Sequence, residues 1–136
     1  MPSPAPGTAA DGARFKSRGG VARIWRALQY SRAGLAAAVR HEAAFRQELV
    51  LGIPMVLAAP WLAPTALHAV ALVAVVVLVW VVELLNSAVE AVADAVSVEH
   101  HPLIGRAKDL GSAAVMLSLL LAALTWAVVL GSHWLP

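Results

Sequence analysis

The fold turns on one uncharged run, LVLGIPMVLAAPWLAPTALHAVALVAVVVLVWVV, which extends from Leu49 to Val82 with no Asp, Glu, Lys or Arg in 34 residues. As a single helix it would measure about 50 Å at ~1.5 Å per residue, well beyond a hydrocarbon core of roughly 30 Å. The segment Pro60-Trp-Leu-Ala-Pro64 interrupts it with a turn signal. The run therefore reads as two transmembrane helices, about residues 45–62 and 66–85, joined by a tight turn. To reach full length, the first must take in Phe45, Arg46, Gln47 and Glu48. A second uncharged run, Leu110–Pro136, is 27 residues long and supplies a third span at about 110–131.

Composition agrees with this reading. The chain has 136 residues, of which 60% are hydrophobic and 13% charged. Soluble domains carry roughly 45–50% apolar and about 25% charged residues. There is no cysteine, which excludes a disulfide scaffold, Cys-ligated zinc or iron–sulfur, and a thiol nucleophile. The formal net charge is only +2, and the cations are placed for a membrane rather than for nucleic acid. All ten lie at or before Arg46 or within Arg106–Lys108. The positive-inside rule then puts the N-terminus and the 97–109 loop in the cytoplasm, and the Pro60 turn and the C-terminus outside. Trp61, Trp126 and Trp134 suit interfacial anchors, and Trp80 lies near the inner boundary.

Residues 1–20 are rich in Pro, Gly, Ala and Ser, contain no apolar core of a signal peptide, and read as a disordered cytoplasmic tail. In 21–40, Val21, Ile24, Trp25, Leu28, Leu35 and Val39 recur at helical spacing among Arg23, Arg26, Arg32 and Arg40. That pattern describes a basic amphipathic helix lying on the anionic inner leaflet. Residues 21–136 thus form one all-α membrane domain of three transmembrane helices and a surface helix.

The chemistry sits where the membrane ends. Glu83, Asn86, Ser87, Glu90 and Asp94 fall on one helical face, starting 17 residues after Ala66 at the hydrocarbon edge. Ionisable groups at that depth are costly and usually functional. Like charges on one face repel unless a cation joins them. Glu42 and Arg46 mark the inner end of the first span, and Arg106, Lys108, Asp109 and Ser112 that of the third. Paired carboxylates suit Mg²⁺ shared with nucleotide phosphates, and Lys108 suits phosphate. A carboxylate at headgroup depth suits a general base for a lipid hydroxyl. The chemistry inferred is phosphoryl transfer to a membrane alcohol. No G-x-x-x-x-G-K-[ST] loop and no H-R-D or D-F-G set is present, so the large kinase families are excluded. The adjacent His100-His101 pair does not have zinc spacing.

Three blocks in order, Glu42–Glu48 (EAAFRQE), Val82–Val92 (VELLNSAVEAV) and Gly105–Val115 (GRAKDLGSAAV), carry a specific resemblance. Over about residues 21–131 the chain resembles the prokaryotic integral-membrane diacylglycerol kinase family, in its proteobacterial branch. The resemblance implies a homotrimer with active sites formed between subunits at the cytoplasmic face. It implies MgATP as donor, sn-1,2-diacylglycerol as acceptor and phosphatidate as product. Glu83 matches the family's catalytic carboxylate, and Glu42 and Glu90 its metal-binding carboxylates. Arg23, Tyr30, Glu42, Glu90, Glu99, His101, Lys108 and Asp109 fall at nucleotide-contacting positions. Arg23, Ser31, Gln47, Glu48, Glu83, Asn86 and Ser112 fall at positions lining the site or the lipid cleft. Two departures stand out: Arg32-Ala33 where the family has Trp-Lys, and His41 where it has Asn.

Two other readings share parts of this pattern. One is a kinase of the same fold acting on undecaprenol or another lipid alcohol. The other is a small ion or proton translocator using Glu83, Glu90 and Asp94 as a relay, although that role calls for a carboxylate nearer mid-bilayer. The small residues Gly111-Ser-Ala-Ala114, Ser87, Ala88, Ala91 and Ala95 allow close helix approach within a membrane.

Overall fold

Four helices make up the computed structural model: α1 (Ala10–His41), α2 (Ala43–Leu62), α3 (Ala66–Val96) and α4 (Pro102–Trp134). The structure describes residues 10–96 and 101–134, with side chains described for 20–96 and 101–132. The chain divides into two units, the first ending at Ala37 and the second beginning at Ala38.

The first unit is most of α1. It begins at Ala10, within the stretch expected to be a disordered tail, and only residues 1–9 lie outside the description. The helical start has a local cause. Ala10, Ala13, Arg14, Lys16 and Arg18 favour helix, and no proline follows Pro6 to stop it. Within this unit Val21, Ile24, Trp25, Leu28 and Leu35 are all exposed, alongside the arginines.

The second unit contains the end of α1 and the three remaining helices. α2 starts one residue after α1 stops. Glu42, the residue between them, is extended at φ −99° and ψ 111°. Its N–H still donates to the Ala38 carbonyl at 2.9 Å. The Arg46 guanidinium turns back to donate to the Val39 and Arg40 carbonyls, 3.2 Å each, satisfying two acceptors at the end of α1. The break expected at Pro60–Pro64 falls at Ala63–Thr65. There the Thr65 hydroxyl accepts the His68 N–H at 3.3 Å, opening α3.

α3 packs on both α2 and α4. Its core contacts are Ala59 of α2, Leu72 and Val76 of α3, and Trp126 and Val129 of α4. Trp126 is 8% exposed, and its indole N–H donates to the Leu72 carbonyl at 3.3 Å. It is a core residue rather than an interfacial anchor, because the ring fills the gap among small and β-branched neighbours and its one polar atom is satisfied inside. Trp61 is exposed, and the Trp134 side chain lies outside the description. Trp126→Phe is expected to lower the unfolding free energy by ~0.6 to ~1.7 kcal/mol, the range for one interhelical hydrogen bond in a bilayer. Unfolding in mixed detergent checks it.

α3 and α4 are long and apolar enough to cross a membrane, with mean hydropathies of 2.6 and 2.4. The large apolar residues left exposed, including Leu67, Val70, Leu117, Leu120, Leu124 and Val128, suit lipid rather than water. The helical membrane character expected from the sequence is therefore present. The 97–109 loop is shorter than expected. Pro102 occupies the first position of α4, where a missing N–H costs nothing. Behind it His101 Nδ1 accepts the Leu103 N–H at 3.3 Å, so Arg106, Lys108 and Asp109 are helical.

Candidate functional site

The site lies in the second unit, along the C-terminal half of α3. Because α3 is unbroken to Val96, Glu83, Asn86, Glu90 and Asp94 stay in register on one face. Glu83 is only 4% exposed, which is unusual for a carboxylate. It lies within coulombic range of Glu90 and of Glu42 at the start of α2, and Glu48 in turn is within range of Glu83. Three carboxylates, Glu42, Glu48 and Glu90, thus lie within coulombic range of one buried carboxylate, Glu83.

Asn86 joins this cluster. Its Nδ2 donates to Glu90 Oε1 at 3.1 Å. Its Oδ1 is buried and has no partner among the described residues. Gly111 of α4 faces it so closely that an added methyl would meet Oδ1. The glycine is what lets α4 reach the amide. Gly111→Ala is therefore expected to rotate the Asn86 side chain and break its bond to Glu90. A shift of the Asn86 side-chain amide resonance reads this directly, and an unmoved resonance contradicts it.

At the outer end of the stripe, Lys108 Nζ donates to Asp94 Oδ1 at 2.6 Å. This is the cation that the like-charged stripe requires. The hydrogen bond to Asp94, and then the charges of Asp94 and Glu90, hold the Lys108 ammonium above the ordinary lysine value. Such a pair contributes fully below that value and is lost only as pH rises through the raised one, so it is intact at neutral pH. Asp94 is a participant that sequence reasoning placed on the stripe without a partner.

The remaining expected residues divide clearly. Glu42 and Glu48 are half-buried, while Gln47, His101, Asp109 and Ser112 are exposed on the second unit. Arg23, Tyr30 and Ser31 are exposed on the first unit. Glu99 lies outside the described residues. Two residues that sequence reasoning passed over as site members are Trp80 and Gly52. The Trp80 indole donates to the Glu48 carbonyl at 3.2 Å across the α2–α3 interface. Nothing in the spacing of Gly52 and Trp80 signals this contact, which appears only once α2 and α3 are packed together.

Among the described residues, no three His, Cys, Asp or Glu form a group able to hold a metal unaided. The donors present are carboxylates and one amide oxygen with no partner, all hard oxygens. This set fits Mg²⁺, which is usually bound by one or two carboxylates plus substrate phosphates and waters rather than by an all-protein cage.

Comparison with known proteins gives one consistent picture. Residues 29–130 match the family model described as prokaryotic diacylglycerol kinase. The diacylglycerol kinase of Escherichia coli K12 is 50% identical over 115 residues, covering 85% of this chain and 94% of that protein. The diacylglycerol kinase of Pseudomonas aeruginosa is 46% identical over 116 residues, with the same coverage of 85% and 94%. That of Haemophilus influenzae is 38% identical over 111 residues, covering 82% of this chain and 94% of the relative.

Proposed function

Because the chain belongs to the prokaryotic diacylglycerol kinase family, we propose that it phosphorylates the free hydroxyl of sn-1,2-diacylglycerol, using ATP and releasing phosphatidate. The observation that carries this reading is the buried Glu83, surrounded by Glu42, Glu48 and Glu90, where the uncharged run of α3 ends. A carboxylate there is at the height of a lipid hydroxyl and is open to the aqueous side through the rest of the stripe.

The membrane arrangement that goes with it has α2 as a third span. Its 20 residues measure about 30 Å, the thickness of the hydrocarbon core. Arg46 and Glu48 then lie near the inner boundary, with Glu48 within coulombic range of Glu83. Charge distribution supports a bacterial inner-membrane protein with its N-terminus and site cytoplasmic. α1, with its exposed arginines and apolar residues, supports a helix lying on the inner leaflet.

Glu42 and Glu90 are the residues that would hold Mg²⁺, with Asn86 orienting Glu90. Held there, Mg²⁺ would supply neutralisation of the phosphate charge. Glu83 takes the proton of the acceptor hydroxyl as that oxygen approaches the γ-phosphorus. Lys108 keeps one N–H on Asp94 and has two further donors for phosphate oxygens. His101 accepts the Leu103 N–H through Nδ1, which leaves Nε2 as the donor of its neutral ring toward a nucleotide. Asp109 adds a nucleotide contact in this reading, and Gln47, Glu48 and Ser112 line the acceptor side.

A homotrimer is part of the proposal. Ala88, Ala91, Ala95, Ala113 and Ala114 are exposed, and rows of small residues let helices of neighbouring subunits approach. Those neighbours would shield from lipid the carboxylates that one subunit leaves uncovered.

The test is phosphorylation of dioleoylglycerol and of undecaprenol by the purified protein in mixed micelles with MgATP. Phosphatidate as the main product supports the reading. Preference for undecaprenol retains the transfer chemistry and changes the acceptor. Transfer to neither overturns it.

A further inference from the structure

We propose that Trp80 is a positioning residue, clamping the α2 backbone at Glu48 to α3 one turn before Glu83 and so fixing the Glu48 carboxylate beside the Glu83 carboxylate. The inference rests on the kinase reading of that site.

Two contacts make the clamp. The first is the hydrogen bond from Trp80 Nε1 to the Glu48 carbonyl, 3.2 Å long. That carbonyl already serves the α2 ladder, and its second lone pair takes the indole. The second contact is at Gly52, one turn further along α2. A β-carbon there would lie 2.7 Å from Trp80 Cζ2 and 2.8 Å from Val76 Cγ1. The ring occupies the space a side chain would need. Glycine in a helix interior costs roughly 1 kcal/mol relative to alanine, and this close approach is what it makes possible. The indole thus meets the α2 backbone at two points, the Glu48 carbonyl and Gly52.

What the clamp holds is chemically exposed to error. Trp80 and Glu48 share the lining of a cavity of about 220 Å³ between α2, α3 and α4, where Glu48 is the only charged residue. Glu48 Oε2 is buried without a partner among the described residues. Among the described residues no side-chain hydrogen bond reaches this carboxylate, so its placement there rests on its backbone. The Glu83 carboxylate is within coulombic range of Glu48, so a change in the position of Glu48 alters the polar surroundings of the group that accepts the hydroxyl proton. Trp80 acts on turnover only through Glu48.

The experiment compares wild type, Trp80→Phe, Glu48→Gln and the double variant, as full-length protein in mixed micelles with dioleoylglycerol and MgATP. Trp80→Phe keeps a ring and removes the N–H. Its kcat is expected to fall roughly 3- to 10-fold, the range of a single hydrogen bond, with KM for MgATP unchanged. The double variant is expected to be no slower than Glu48→Gln alone, because both changes remove the same effect. Gly52→Ala should also lower kcat and should move the Trp80 indole N–H resonance, which is assigned by its disappearance in Trp80→Phe. Unchanged kcat in Trp80→Phe overturns the proposal. So does a multiplicative loss in the double variant, which would mark a purely structural role. If the wild type transfers phosphate to no lipid acceptor, the kinase reading falls and takes Trp80's part in turnover with it. An unmoved resonance in Gly52→Ala overturns the clamp on its own.

Discussion

Glu83→Gln is expected to lower turnover by roughly 10²- to 10⁴-fold, the contribution of a positioned general base, while the protein becomes no less stable. The second half of the expectation separates catalysis from folding. Glu83 is buried within coulombic range of Glu42, Glu48 and Glu90, and an amide of the same shape removes the repulsion that Glu42 and Glu90 exert on its charged form. Stability should hold or rise as activity disappears, the usual trade at a site whose groups are arranged for chemistry. The measurement pairs phosphatidate formation with unfolding in detergent. Substantial turnover in an intact Glu83→Gln protein would remove Glu83 from its assigned role. Lost activity with lost stability would show that it is a structural group.

The second large effect belongs to Glu90. Glu90→Ala takes away a carboxylate proposed to hold Mg²⁺ and also the acceptor of the Asn86 amide, 3.1 Å away. Loss of even an outer partner of a metal ligand costs about 10- to 100-fold in affinity. The Mg²⁺ concentration for half-maximal activity should therefore rise at least that much. Glu90→Gln retains an oxygen for Asn86 and should fall between wild type and Glu90→Ala. A Mg²⁺ titration at fixed ATP distinguishes the three, and superimposable curves would contradict the assignment.

The parts of this molecule that were legible in its sequence are those set by local rules. Pro64 marks the helix break, because the residue before a proline is pushed out of the helical region, whereas Pro54 and Pro60 lie inside α2. The register of Glu83, Asn86, Glu90 and Asp94 follows from helical period once α3 is known to be continuous. The grouping of Glu83 with Glu42 and Glu48 required knowing that α2 doubles back along α3, and the tight turn made that readable too. Other features depend on which side chains meet across helices, which spacing does not encode. Trp126 has the position of an interfacial anchor, yet it lies in the core because small neighbours leave room for it. Gly52 and Trp80 are 28 positions apart by subtraction, and each looks ordinary until the other is placed against it. Gly111 reads as one more small residue in a small-residue run until Asn86 fills the space before it. The start of α1 at Ala10 follows from helix-favouring residues that lie close to the Pro and Gly of the N-terminus, two local signals that compete over the same stretch.

The unbroken course of α3 from Ala66 to Val96 also constrains how this protein can vary in evolution. A substitution alters one side chain, but an insertion or deletion turns everything beyond it by about 100° and moves it by ~1.5 Å. One residue added between Ala66 and Glu83 would swing the carboxylates off their face. Seven would nearly restore the phase, but would move them by about 10 Å along the membrane normal, away from the lipid hydroxyl. Angle and depth cannot both be recovered by any small change in length. The segment should therefore tolerate many replacements and almost no gaps, and length variation should gather in the connection before Pro102 and at the chain ends.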